Sequence, residues 1–239
     1  MRVTAPPVAA LLGRKEHVLN PRMISHRYRC IFIHIPRCGG SSIEDLIWPP
    51  EERTEANLWM GFVRPAYNKY QTGGLQHLLA KQVLAEVGSD IFSSYFKFGI
   101  VRNPWDKAVS QYTYMMASRP DLRDFANIPD DASFEQYLEH TRKVTHVQWE
   151  KQINFVYDNA GKLLVDHLGR FESFDHDVQK ILARVGIAAG SIPHVNRSGR
   201  PARSDYSVAA RELIAETYAA DISAFGYSCP WPLAAKGQP

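Results

Sequence analysis

The chain has 239 residues, 45% of them hydrophobic and 22% charged, with 15 Gly and 15 Pro. That balance excludes disordered, collagen-like and disulfide-scaffold classes and suits one well-filled core. Lys and Arg number 28 against 25 Asp and Glu, a surplus too small for a nucleic-acid coat unless the charges gather in one place.

Residues 1–27 read as an N-terminal arm. Ala5 to Leu12 is apolar but short, holds Pro6 and Pro7, and lacks the charged start and long apolar run of a signal peptide. Residues 28–239 read as a single domain, because no Gly-, Ser- or Pro-rich linker divides them. Cys30-Ile-Phe-Ile-His-Ile35, β-branched and aromatic, predicts a buried parallel strand stopping at Pro36. Arg37-Cys-Gly-Gly40 follows as a loop. Ser41 or Ser42 then caps a helix reaching Ile47, with acidic residues in its first turn.

Residues 48–74 carry Pro49, Pro50, Pro65, Gly73 and Gly74 among aromatics and predict an irregular excursion; helical spacing returns at Leu75, Leu78, Leu79, Val83, Leu84 and Val87. Tyr95 to Val101 predicts a second strand, which enters the loop Arg102-Asn-Pro-Trp105 and a helix from Asp106 to about Met116. Further helices are expected from Ser133 to Arg142, Thr145 to Phe155, Phe174 to Val185 and Val208 to Phe225. Asp158-Asn-Ala-Gly161 predicts a hairpin turn into a strand Lys162 to Asp166, and Ser191 to Asp205 reads as a basic loop. Strands alternating with helices imply an α/β sandwich around a mainly parallel sheet.

No stretch approaches the ~20 apolar residues of a membrane span. The three cysteines, Cys30, Cys38 and Cys229, form no CxxC pair, which argues against a zinc site or disulfide framework and for reduced thiols in a cytoplasm.

Two segments carry chemistry. In FIHIPRCGGSS a strand feeds a glycine loop and a helix N-terminus, where unpaired N–H groups and a partial positive charge suit an anion. Gly39 and Gly40 allow close backbone approach, Ser41 and Ser42 add hydroxyls, and Arg37 adds a bidentate cation. The pattern GxxxxGK[ST] is absent, so this is not a Walker A loop; the segment reads as a phosphate-type cradle, with a plain strand-to-helix turn and a solvated arginine as the alternative. In FGIVRNPWDKAVSQY, Arg102 leaves a strand end and Ser110 lies eight residues on, in the following helix. The pair can grip a second phosphate, or Arg102 can simply tie a loop. Two anion sites at adjacent strand ends suggest a nucleotide with separated phosphates.

FIHIPRCGGSS resembles the 5′-phosphosulfate-binding loop, and FGIVRNPWDKAVSQY the 3′-phosphate-binding segment, of the Golgi-type carbohydrate sulfotransferases and their bacterial relatives, the group that includes heparan sulfate 2-O-sulfotransferase. QHLLAKQVLAEVG resembles the family's histidine-bearing helix, HLGRFESFDHDVQKIL its Arg-Phe-Glu segment, and HVNRS with DISAFGY its C-terminal part, so the likeness runs from about Cys30 to Tyr227. The resemblance implies a P-loop-like three-layer sandwich and a donor, 3′-phosphoadenosine 5′-phosphosulfate (PAPS), whose sulfuryl group passes in line to a hydroxyl, without metal. Arg37 would hold the phosphosulfate with Cys38, Gly39, Gly40, Ser41 and Ser42; Arg102, Ser110, Arg197 and Ser198 would hold the rest of the nucleotide. The family's usual lysine is Arg37 here and its usual threonine is Cys38.

The resemblance makes His77 the general base, a role that histidine's ordinary pKa suits. His34 reads as a core histidine, with His140, His146 and His194 as weaker alternatives. Glu172 either bonds within the site or forms a structural ion pair. Trp48, Trp59, Tyr67 and Tyr70 could stack on sugar rings or anchor loops, Gln152 could touch the acceptor or only backbone, and Arg200 and Arg203 could face an acidic acceptor. The implied partner is a carbohydrate or other hydroxyl-bearing acceptor, with no nucleic acid and no membrane span. The competing readings are a nucleotide- or glycan-binding protein that keeps the fold without catalysis, and a kinase, which would need a Walker-type lysine and a metal-binding acid.

Overall fold

The computed structural model describes residues 23–48, 77–188, 190, 192 and 206–231. Among the described residues four strands form one sheet in the order β1 (Ile24–Ser25), β2 (Cys30–Ile33), β3 (Phe96–Val101) and β4 (His167–Arg170). β1 pairs antiparallel with β2, whereas β2–β3 and β3–β4 are parallel, giving the mainly parallel sheet of an α/β fold. Every residue of β2 is buried, as an apolar run covered on both faces requires. Met23 and Ile24 are also buried, and Ile24 pairs with Ile31, so the sheet begins inside the expected arm.

The helices are α1 (Gly40–Ile47), α2 (Ala80–Ser94), α3 (Pro104–Ser118), α4 (Pro120–Phe125), α5 (Phe134–Thr141), α6 (Gln152–Val156), α7 (Phe174–Arg184), α8 (Val208–Thr217) and α9 (Ala219–Phe225). α3 starts two residues before the expected Asp106, because Pro104 suits the first turn and the Asn103 side chain accepts from Trp105 N–H. Ser133 caps α5 as expected, its hydroxyl accepting from Gln136 N–H. The helix expected over Thr145 to Phe155 divides into a 3-10 turn, Val147–Trp149, and α6, while the one over Val208 to Phe225 breaks at Tyr218.

The third parallel strand is displaced from the expected position. In Lys162 to Asp166, Leu163 bridges Tyr157 and the Asp166 N–H donates to Lys97 O, but the ladder beside β3 is His167–Arg170. Its HLGR sequence lacks the apolar run of an inner strand because β4 has mostly half-covered side chains.

Phe32 and Phe98 stack across β2 and β3 at 5.2 Å, and Ile43 and Ile47 of α1 join them in the core below the site. Each such side chain contributes about 1.5–3 kcal/mol on burial. A second cluster gathers Trp105 and Met115 of α3, Tyr137 and Leu138 of α5, and Ile214 of α8. α3 thus presents its N-terminus at the end of β3 while its other face anchors this second core. Among the described residues no helix is long and apolar enough to cross a membrane.

Candidate functional site

The turn after β2 is built on left-handed backbone. Arg37 has φ 64° and Gly39 φ 82°, and Gly39 is the N-cap of α1 without any side-chain cap. Neither Ser41 nor Ser42 caps the helix, and its acidic residues, Glu44 and Asp45, fall in the second turn. A left-handed residue followed by helical backbone makes successive N–H groups converge, the arrangement that binds anions. The glycines are required by close approach. A Cβ on Gly39 would lie 2.5 Å from Phe174 Cε2, and one on Gly40 would overlap the His34 ring.

Two cations meet here from adjacent strand ends. The Arg37 guanidinium donates to Ser110 Oγ from Nε at 3.2 Å and Nη2 at 3.1 Å, and lies 4.4 Å from the Tyr114 ring centre. Burial pulls its pKa down, but a guanidinium keeps its charge at neutral pH. Arg102, buried at the end of β3, donates from Nη1 to the Arg37 carbonyl at 3.0 Å and lies 4.1 Å from the Phe171 ring centre. Arg37, Arg102, Ser110 and the Cys38–Gly40 backbone therefore share one region.

Gln152 is not available to an acceptor. It is fully buried; its Oε1 accepts from Arg102 N–H at 2.8 Å, and its Nε2 donates to Arg102 O at 2.7 Å. The Cys38 thiol points to the same Oε1 at 3.5 Å and to Pro36 O, so the side chain faces inward and only its backbone is suited to the cradle. Burial pushes that thiol up to about 12. Trp48 is likewise buried in the core below α1 and offers no stacking surface.

Behind the cradle lies an ionic foundation absent from the sequence expectations. The buried Asp221 accepts from the N–H groups of Gln152 and Ile153, both at 2.9 Å, and Lys107 is buried nearby with its ammonium 5.5 Å from the Tyr218 ring centre. Burial raises the Asp221 pKa and lowers that of Lys107, and each group's charge opposes the other's shift. The available signal was Lys107's place four residues after Asn103, on the face of α3 that turns toward the site. Glu172 proves to be a tie, its Oε1 accepting from Asn103 N–H at 2.7 Å and its Oε2 from the Tyr227 hydroxyl at 3.1 Å.

His77 is buried just ahead of α2. Its Nδ1–H donates to the His34 carbonyl at 3.0 Å, which makes Nε2 the basic nitrogen of the neutral ring, and the two rings meet edge to face at 4.6 Å. Burial, then the neighbouring His34, pulls the His77 pKa down to about 3. His34 Nδ1 in turn lies 2.8 Å from Glu44 Oε1, both side chains being buried. Among the other histidines, His140 contacts the Ala126 carbonyl and His146 accepts from Gln148 N–H. His146 also lines a cavity of about 170 Å³ with Arg142, Trp149, Glu150, Lys151 and Tyr218.

Trp59, Tyr67, Tyr70, His194, Asn196, Arg197, Ser198, Arg200 and Arg203 lie outside the described residues. Among the described residues no group of three His, Cys, Asp or Glu side chains is placed to hold a metal ion.

The profile of a family described as the sulfotransferase family matches residues 20–228. An uncharacterised protein of Archaeoglobus fulgidus is 28% identical over 108 residues, covering 42% of this chain and 76% of its own. No solved structure gives a significant match.

Proposed function

The chain belongs to the sulfotransferase family, and on that premise we propose that it carries the sulfuryl group of PAPS to a hydroxyl of an acceptor, a carbohydrate being the acceptor class suggested by the likeness of its two loops. The observation that carries this reading is the meeting of Arg37, Arg102 and Ser110 at the ends of β2 and β3. It provides two cations and a hydroxyl for a nucleotide anionic at both its 5′ and 3′ positions, beside a helix N-terminus that adds N–H donors.

In-line transfer requires a base on the acceptor and stabilisation of the leaving phosphate. The acceptor hydroxyl gives its proton to His77 Nε2 as its oxygen bonds to sulfur. The bond from sulfur to the phosphate oxygen breaks, and its electron pair stays on a phosphate held by Arg37 and the N–H groups of residues 39–41. A bound donor brings anionic charge close to His77 and opposes the depression of its pKa, moving it toward the range where a base works well. Arg197, Ser198, Trp59, Tyr70 and Arg200 remain proposed contacts to nucleotide or acceptor.

Incubation with donor labelled in the sulfuryl group and a panel of glycans, lipids and small alcohols tests the proposal, alongside calorimetry with 3′,5′-phosphoadenosine in chelator. Micromolar or tighter binding and label transfer are expected. Absence of nucleotide binding, with ATP and magnesium binding instead, sinks it. One observation favours a second reading, a nucleotide-binding protein without transfer: the Arg37 guanidinium is already committed to Ser110 and Tyr114. Tight nucleotide binding with no transfer to any acceptor would select it.

A further inference from the structure

His77 meets His34 twice, through the hydrogen bond from Nδ1 to the His34 carbonyl and through the edge of the ring. His34 is in turn held by the helix that opens the donor cradle. Its Nδ1 lies 2.8 Å from Glu44 Oε1, and its ring covers Gly40 so closely that a Cβ there would overlap it. Gly40 and Glu44 are separated by four residues and so occupy one face of α1. Phe32 stacks on the same imidazole at 5.3 Å. The His34 backbone follows directly on β2, whose register against β3 is set by Ile33 opposite Gly99.

We propose that Glu44 and His34 are positioning residues for His77, registering its basic Nε2 on the helix whose N-terminus cradles the donor. The inference rests on the reading of His77 as the base.

The physical argument runs through distance and burial. Proton transfer needs the base within hydrogen-bond reach of the acceptor hydroxyl, so the base must keep a fixed place relative to the sulfuryl group rather than to its own helix. The donor's position is set by the N-terminus of α1. Glu44, one turn further along α1, fixes the rotation of the His34 ring through a buried hydrogen bond to a carboxylate, a stronger tie than one between neutral groups. That ring is the wall against which His77 rests, and the carbonyl of the same residue selects the His77 tautomer. Without the carboxylate, the His34 ring has no partner fixing its Nδ1–H and can turn, and the wall behind His77 loses its shape.

The experiment combines nitrogen-15 NMR of the imidazoles with release of labelled sulfate from the donor to water, which needs no identified acceptor. In the wild type His77 is expected as a single neutral Nδ1–H tautomer, and His34 with its Nδ1–H donating to Glu44. Glu44→Ala should leave the His34 ring proton divided between Nδ1 and Nε2 and slow sulfate release about tenfold or more, with 3′,5′-phosphoadenosine affinity changed less than about twofold. Glu44→Gln, whose amide oxygen accepts from the same Nδ1–H, should restore the single tautomer and most of the rate. In a His77→Ala background Glu44→Ala should cause no further loss. Should the alanine variant fail to fold, Glu44→Leu, close in volume and without a polar group, provides the same comparison. A His34 proton that stays wholly on Nδ1 in Glu44→Ala or Glu44→Leu, a deficient Glu44→Gln, or losses that add independently of His77 would overturn the proposal. A normal rate in His77→Ala would instead sink the assignment of the base, while the tautomer measurement still reports on Glu44.

Discussion

The Arg37 guanidinium and the Ser110 hydroxyl are joined by two hydrogen bonds, 3.2 Å and 3.1 Å long, across 73 positions of sequence. The loop after β2 and the helix after β3 thus share a side-chain link in addition to the contact of Arg102 with the Arg37 carbonyl. The two ends of a bound nucleotide would press on one connected structure.

Removing either part should therefore weaken the same ligand. Ser110→Ala takes away the acceptor of both Arg37 N–H groups and is expected to weaken 3′,5′-phosphoadenosine about tenfold, or ~1.4 kcal/mol. Arg102→Ala removes a buried cation and should cost about a hundredfold. Calorimetry without metal measures both, and unchanged affinity in the pair would remove the shared cradle from consideration.

Gln152 is expected to matter for stability. Gln152→Ala leaves the Arg102 N–H and carbonyl without their side-chain partners in a fully buried place. The expected cost is about 2–3 kcal/mol, or a Tm lower by roughly 5–10 °C. Thermal unfolding followed by circular dichroism checks it, and a Tm unchanged within error would mean that water replaces the amide at no cost.

His77 predicts a pH dependence of folding. Its native pKa is depressed from 6.5 to about 3, chiefly by burial, so between those values the unfolded chain holds a proton that the folded one does not. Stability contributed by neutral His77 is present above pH 6.5 and falls as pH drops toward 3, at up to about 1.4 kcal/mol per pH unit. Urea denaturation of wild type and His77→Gln should diverge over this window, the variant showing the shallower fall. Parallel curves would mean that His77 is protonated in the native state.

The thiols should sort by burial. Cys229 is exposed while Cys30 and Cys38 are buried, with both buried thiols pushed up to about 12. A thiol reagent at neutral pH should modify one cysteine quickly in the folded protein and three after denaturation, since the thiolate is the reactive form. Two fast thiols in the native protein would show that the turn around Cys38 opens readily.

The legible parts of the molecule were those in which local chemistry and tertiary role agree. The run CIFI and the segment FKFGIV become β2 and β3 because strands buried on both faces must be apolar throughout. Gly39 and Gly40 mark the cradle because only a missing side chain admits Phe174 and His34 there. What stayed hidden depends on the partner. β4 reads as polar because it is mostly half-covered, and Gln152 reads as a surface amide until Arg102 is found on both of its ends. Lys107 and Asp221 are ordinary helix residues in sequence, and their burial follows only from tertiary packing, that of Asp221 from α9 against α6. Glu44 was visible as a helix acid, but its link to His34 requires the turn to fold the strand end back over α1.

Asp221 holds the first two residues of α6, and α6 holds Arg102. That chain of dependence has a consequence for biosynthesis. A ribosome releases the turn at residues 37–42 early, yet the carboxylate on which its surroundings rest lies near the end of the 239 residues. The nascent protein must therefore reach α9 before the site can set, and a fragment stopping at Tyr218 would carry every motif of the two loops without a footing for either.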